Sequence, residues 1–231
     1  MNQENNSYLF LISHPSAFNK VDSEQLKQTD GRYHRMKYNM ESVSAFKIMS
    51  RKFEVVDSDR HSQMCQQFYQ MNPDLLTAFI QTSNDQQSTK EDLFNLYPLH
   101  PGTANLATHY ATVVGSSSRS VFEFLGQNEA IRTFLDDEDI FLNRDTITAD
   151  YLWDYVLKVF QDDVVNYGAV TERYNSYIKQ ITAKGASYLA VFKGILLLNA
   201  FNNVSGENNN GLVTPSEENI HYLFAGTKYD N

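Results

Sequence analysis

The side chains of this 231-residue chain that could do chemistry are six histidines, one cysteine and a few paired acids. His100 and His109 invite a metal reading, because neutral imidazole is a common ligand. Their separation is neither three nor four residues, so one helix cannot present both rings to one ion, and no metal site is expected. Cys65 lies among helix-forming residues with no nucleophile motif around it, and a buried free cysteine is usually inert. Asp162 and Asp163 point to different faces of a helix and read as solvated surface rather than a hydrolytic pair. The chain contains no GxxxxGK[ST] phosphate loop and no GxGxxG, HExxH or GxSxG motif. No catalytic residue is assigned.

The elements that would position these residues follow from composition. Hydrophobic residues make up 42% and charged residues 20%, as in an ordinary globular protein. Fifteen Phe and fourteen Tyr must fill much of the core. Ten Gly and five Pro are too few for the frequent turns of a sandwich or barrel, and favour long helices. A single Cys excludes an intrachain disulfide. No apolar run reaches the roughly 20 residues of a bilayer span, and the opening Met-Asn-Gln-Glu-Asn-Asn lacks the basic region of a signal peptide. A cytoplasmic protein without membrane contact is the expectation. Net charge is −9; up to Ser120 there are eleven Lys/Arg against twelve Asp/Glu, and beyond it eight against sixteen. That acidic second half opposes nonspecific nucleic-acid binding. A local basic patch remains around Arg32, Arg35, Lys37, Lys47, Arg51 and Lys52.

Along the chain, residues 8–12 (YLFLI) read as a buried strand stopped by Pro15, and 32–39 as a second strand. Ala45, Ile48, Met49 and Phe53, with Phe46, stripe an amphipathic helix. Helices are expected over 59–71 and 73–80. Residues 81–92 (QTSNDQQSTKED) carry no large apolar anchor and read as the clearest loop. Pro101 suits a first helical turn, with Ala104, Ala107, Ala111 and Val114 as its small-residue face and Gly115 at its end. A short helix capped by Ser117 or Ser118 runs to Leu125, closed by Gly126. Leu152, Val156, Val159 and Phe160 stripe a helix over 148–163, and 188–201 is apolar nearly all round. Thr214-Pro215-Ser216-Glu217 reads as a capping box with Pro at the first helical position, opening a helix that uses Ile220, Leu223 and Phe224.

A set of phrases occurs in a fixed order: LFLISHPSAFN, TDGRYHRMKYNMESVSAFKIM, LFNLYPLHPGTANLATHYATVVGSSSRSVFEFLG, ITADYLWDYV, YLAVFKGILLLNAFNN and GLVTPSEENIHYLF. Together they resemble the C-terminal half of the large AAA+/P-loop ATPases of bacterial phage-defence islands, such as those of bacteriophage-exclusion (BREX) systems. The most specific are YPLHPGTA and SRSVFEFLG. The family's usual Gln-Asn-Glu before the arginine is Ser116-Ser117-Ser118 here. The family's phosphate loop and acidic metal-binding strand would lie upstream, so the resemblance implies a truncated, split or excised piece of that architecture.

The fold it implies is mainly α: a remnant of two P-loop ATPase core strands (1–40), a helical lid (41–135) and a winged-helix-like helical subdomain (136–231). It implies nucleotide-sensing roles for Ser13 and His14 at the first strand's end, for Arg32 and for Arg119, with ATP and Mg belonging to the complete parent protein. Each has a plainer use: Ser13 and His14 end a strand, Arg32 is solvated, and Arg119 pairs with Glu123 at i, i+4. His100 is expected to cap the Pro101 helix rather than touch ligand. The implied partners are the rest of the parent ATPase or other subunits, with self-association through unpaired strand edges and nucleic acid reached only indirectly. The alternative is a free-standing helical protein-interaction module with an acidic docking face.

Overall fold

A computed structural model of the chain describes residues 42–83, 85–114, 117–136, 145–205 and 211–230, with the side chains of 42–44, 112–119 and 205 excepted. These belong to the compact unit Met40–Asn231. The expected strands at 8–12 and 32–39 lie outside the described residues.

The described residues are mainly helical, with eleven helices: α1 (Ser42–Ser50), α2 (Ser58–Met71), α3 (Pro73–Gln81), α4 (Gln86–Phe94), α5 (Pro101–Val114), α6 (Ser117–Gln127), α7 (Glu129–Leu135), α8 (Ala149–Asp162), α9 (Val164–Thr182), α10 (Ala186–Ser205) and α11 (Glu217–Phe224). Among them the only extended pairing is an isolated parallel bridge between Leu99 and Ile147.

Helix α5 is the hub. It packs on α1, α6, α8, α10 and α11, and its small-residue face explains why so many neighbours fit: Ala104, Ala107 and Ala111 are all buried. On one side α1 to α4 pack among themselves; on the other, α8, α9 and α10 make a three-helix layer. Trp153, Phe124, Phe160 and Phe201 are the largest fully buried side chains of the core. Phe160 stacks on Tyr167 at 4.0 Å between ring centroids, and meets Trp153 and Phe201 edge-on at 5.9 and 6.0 Å. One continuous apolar core takes residues from both sides of position 135, from Ala45 to Ala225.

Three sequence expectations need correction. Residues 81–92 are not one long loop, since α4 begins at Gln86. The Asp85 carboxylate caps it by accepting from the Ser88 N–H at 3.1 Å, and the Thr89 hydroxyl donates to the Asp85 carbonyl at 2.7 Å. Its apolar anchor is Leu93, fully buried in the last turn. Gly126 does not end α6, which continues to Gln127; the Gly126 carbonyl instead accepts from the Arg132 guanidinium at 2.7 and 3.2 Å. The N-cap of α11 is Ser216 rather than Thr214, its hydroxyl accepting from the Asn219 N–H at 3.2 Å. Asn219 then donates to the carbonyls of Gly211 and Thr214, both at 2.8 Å, and so ties the incoming loop to the helix. Two helices carried no sequence expectation at all, α7 and the 19-residue α9.

Candidate functional site

The YPLHPG phrase is held from several sides of the fold. Tyr97, Leu99 and His100 are buried, and the Tyr97–Pro98 peptide is cis. The segment is tied to residues 145–147 by three bonds. The His100 N–H donates to the Ile147 carbonyl at 3.2 Å, the Ile147 N–H to the Pro98 carbonyl at 2.9 Å, and the Tyr97 hydroxyl to the Asp145 carbonyl at 3.1 Å. From the other side His61 of α2 donates its Nε2–H to the Tyr97 carbonyl at 2.8 Å.

His100 is the centre of this knot. Its Nδ1 accepts from the Gly102 N–H at 3.1 Å, so it caps α5 as expected from sequence. Its Nε2–H donates to the Ala225 carbonyl at 3.1 Å, at the end of α11. Both ring nitrogens are therefore used in the neutral form, and neither is open to a metal or a ligand. Burial drives the imidazole pKa down to about 4, against smaller upward pulls from the Ala225 carbonyl and Asp230.

Cys65 is buried on α2 with Sγ 3.8 Å from the ring nitrogens of His61. A Cys–His pair suggests a nucleophile, but burial pushes this thiol up to about 12, and the reactive thiolate is suppressed. Asp163 is spent on structure: it caps α9 by accepting from the Asn166 N–H at 3.2 Å and the Asn166 amide at 2.8 Å.

Among the sequence-derived sensing candidates, Ser13, His14 and Arg32 lie outside the described residues. Arg119 stands in the first turn of α6. The buried side chains of α6 that follow it, Val121, Phe124 and Leu125, enter the common core, where Phe124 meets Tyr155 of α8 at 5.4 Å between ring centroids.

One open concavity of the described surface is a cleft of about 380 Å³ lined by Asn128, Ala130, Asp150, Tyr151, Asp154 and Tyr155. Asp150 and Asp154, four residues apart on α8, share one face. The buried Lys193 of α10 donates to Asp154 at 2.7 Å, and its charge also lowers Asp150. Burial outweighs that pull and the Thr148 hydroxyl bond, so the Asp150 carboxyl stays above the usual range. Sequence reading passed over this cleft. The i, i+4 acid pair was its one local signal, and the lysine comes from 39 residues away.

Among the described residues, no group of three or more His, Cys, Asp or Glu side chains converges as a metal site. No described helix is long and apolar enough to cross a membrane. No protein-family model, curated protein or solved structure matches the chain.

Proposed function

We propose that the chain is the nucleotide-sensing and coupling part of an ATP-dependent machine of the phage-defence P-loop ATPase kind, not catalytic by itself. Residues 1–40 belong to the ATPase core in this reading, 41–135 form its helical lid and 136–231 a winged-helix-like subdomain. Ser13, His14, Arg32 and Arg119 sense the nucleotide, and the rest of the ATPase supplies the phosphate loop and the metal ligands. Phosphoryl transfer needs both, and the chain contains no GxxxxGK[ST].

The observation that supports the reading is the placement of the two phrases most specific to the resemblance. YPLHPGTA opens α5, SRSVFEFLG makes α6, and these helices pack directly on each other. A tilt of α6 driven at Arg119 would be delivered through Phe124 to α8 and through α5 to α11, because a close-packed core does not absorb it locally. ATP binding and turnover of the purified chain test the proposal. Expected are no turnover and weak ATP binding that weakens further in Arg119→Ala. Robust hydrolysis abolished by a substitution within the chain would sink it.

A second reading, a helical interaction module docking a basic partner on an acidic face, has one observation in its favour: the cleft at Asp150 and Asp154. Its cytoplasmic setting is common to both readings. Loss of partner capture in Asp154→Lys, with Arg119→Ala silent, would favour the module.

A further inference from the structure

The acidic second half of the chain hides a basic projection. After Ser120 the chain has eight Lys/Arg and sixteen Asp/Glu. Four of those eight, Arg173, Lys179, Lys184 and Lys193, lie between residues 164 and 205, on α9, α10 and the turn that joins them, a stretch with a single acid, Glu172; Lys193 is buried and paired with Asp154, and the other three are exposed. These two helices form an antiparallel hairpin whose corner is Gly185, at φ +121°. The buried residues of α9 end at Thr171, those of α10 begin at Ala190, and nothing from 175 to 189 is buried. The arm therefore stands clear of the core by roughly eight helical residues, about 12 Å at 1.5 Å per residue.

Its tip is both charged and aromatic. Lys179 and Lys184 on the arm and Arg173 at its base are exposed, and none is ion-paired among the described residues. Tyr177 and Tyr188 are 50% and 60% exposed, and the Lys184 ammonium sits 5.6 Å from the Tyr188 ring centroid. Exposed tyrosine rings are enriched at interfaces, and the lysines around them belong to the charged rim that steers a partner of opposite sign.

We propose that this hairpin tip is a docking surface whose occupant is the carboxylate-rich body of a second copy of the chain. The argument is charge complementarity. With net charge −9 overall and +3 over residues 164–205, the remainder of the chain carries −12. That remainder displays exposed carboxylates at Glu129, Asp136, Asp154, Asp162, Glu217 and Glu218. Two like-charged copies repel in most orientations, and tip-to-body contact brings opposite signs together. The contact uses different patches on the two copies, so it is head-to-tail.

Sedimentation of the full chain at about 25 mM and about 500 mM salt, with and without Lys179→Glu/Lys184→Glu, tests this. The expected result is a mass that rises with concentration at low salt and falls back at high salt. The double reversal should weaken association about tenfold, with an unchanged melting temperature because both side chains are exposed. A monomer at every concentration in low salt overturns the proposal. So does association indifferent to both salt and the reversal, which would point to an apolar contact elsewhere. Mass unaffected by the reversal, together with reversal-sensitive retention on a DNA column, would assign the tip to nucleic acid and overturn the second-copy reading. None of these outcomes depends on ATP, so the proposal stands or falls apart from nucleotide sensing.

Discussion

The imidazole of His100 joins the first turn of α5 to the carbonyl of Ala225, a residue 125 positions later. Because Nε2 donates there and Nδ1 accepts from Gly102, the fold requires the neutral ring. Its pKa is about 4 when folded, against an ordinary 6.5. Between these values the unfolded chain takes up a proton that the folded chain refuses. Stability should therefore be whole above about pH 6.5 and decline as pH falls toward 4, by about 3 kcal/mol in all. Denaturant midpoints measured from pH 7 to 4.5 should slope more steeply for the wild type than for His100→Gln. Equal slopes would mean that the ring is not held neutral.

Two glycines form the seat of α11. A Cβ on Gly102 would lie 3.0 Å from the Leu223 Cα and 3.1 Å from the Tyr222 carbonyl, both backbone atoms. One on Gly194 would lie 2.8 and 2.9 Å from the Phe224 ring. Gly102→Ala and Gly194→Ala should each cost about 1–3 kcal/mol despite the better helix propensity of alanine. Since both push the same helix, the double variant should cost less than the sum, and full additivity in urea titrations would count against a shared seat.

Lys193 and Asp154 make an uneven ion pair, the lysine side chain 10% exposed and the aspartate 56%. Removing the exposed partner strands a buried ammonium, whereas removing the lysine leaves a carboxylate that water can reach. Asp154→Asn should therefore destabilise by about 1–2 kcal/mol, and Lys193→Met by less. Thermal melts of the two variants at neutral pH decide the order.

Cys65 should behave as a reporter rather than a reagent. Its thiol is buried and pushed up to about 12, so a disulfide probe at pH 8 should label the native chain only through unfolding. Labelling should become rapid in denaturant. Fast stoichiometric labelling of the native chain would place this helix nearer the surface than described.

What could be read in advance was whatever had a strong local cause. The stripe Leu152, Val156, Val159 and Phe160 marked α8, although Val159 itself is 38% exposed, and the HP dipeptide at 100–101 marked both the start of α5 and the use of His100 as its cap. The α4 helix escaped because its first seven residues are polar and its anchor, Leu93, sits in the last turn. The α9 helix escaped for a related reason: only Tyr167, Val170 and Thr171 are buried, and the outer half has no buried face to generate a period. Ser216 and Thr214 compete as caps in one short phrase, and the choice falls to Ser216 through Asn219, which holds the loop from eight residues away. The cleft at Asp150 needs Lys193 from another helix, and the Ala225 end of the His100 bond needs the whole fold. Long-range partners leave no local trace.

The seat of α11 also sets an order of events at the ribosome. Gly102 is made more than a hundred residues before the Leu223 side chain that covers it. At the usual 5–20 residues per second, about 125 residues of synthesis take roughly 6 to 25 s. Throughout that interval the nascent α5 presents a bare, small-residue flank and an imidazole without its acceptor. Chains stalled before residue 217 would expose this flank to holdase chaperones, and the emergence of α11 is the event that hides it.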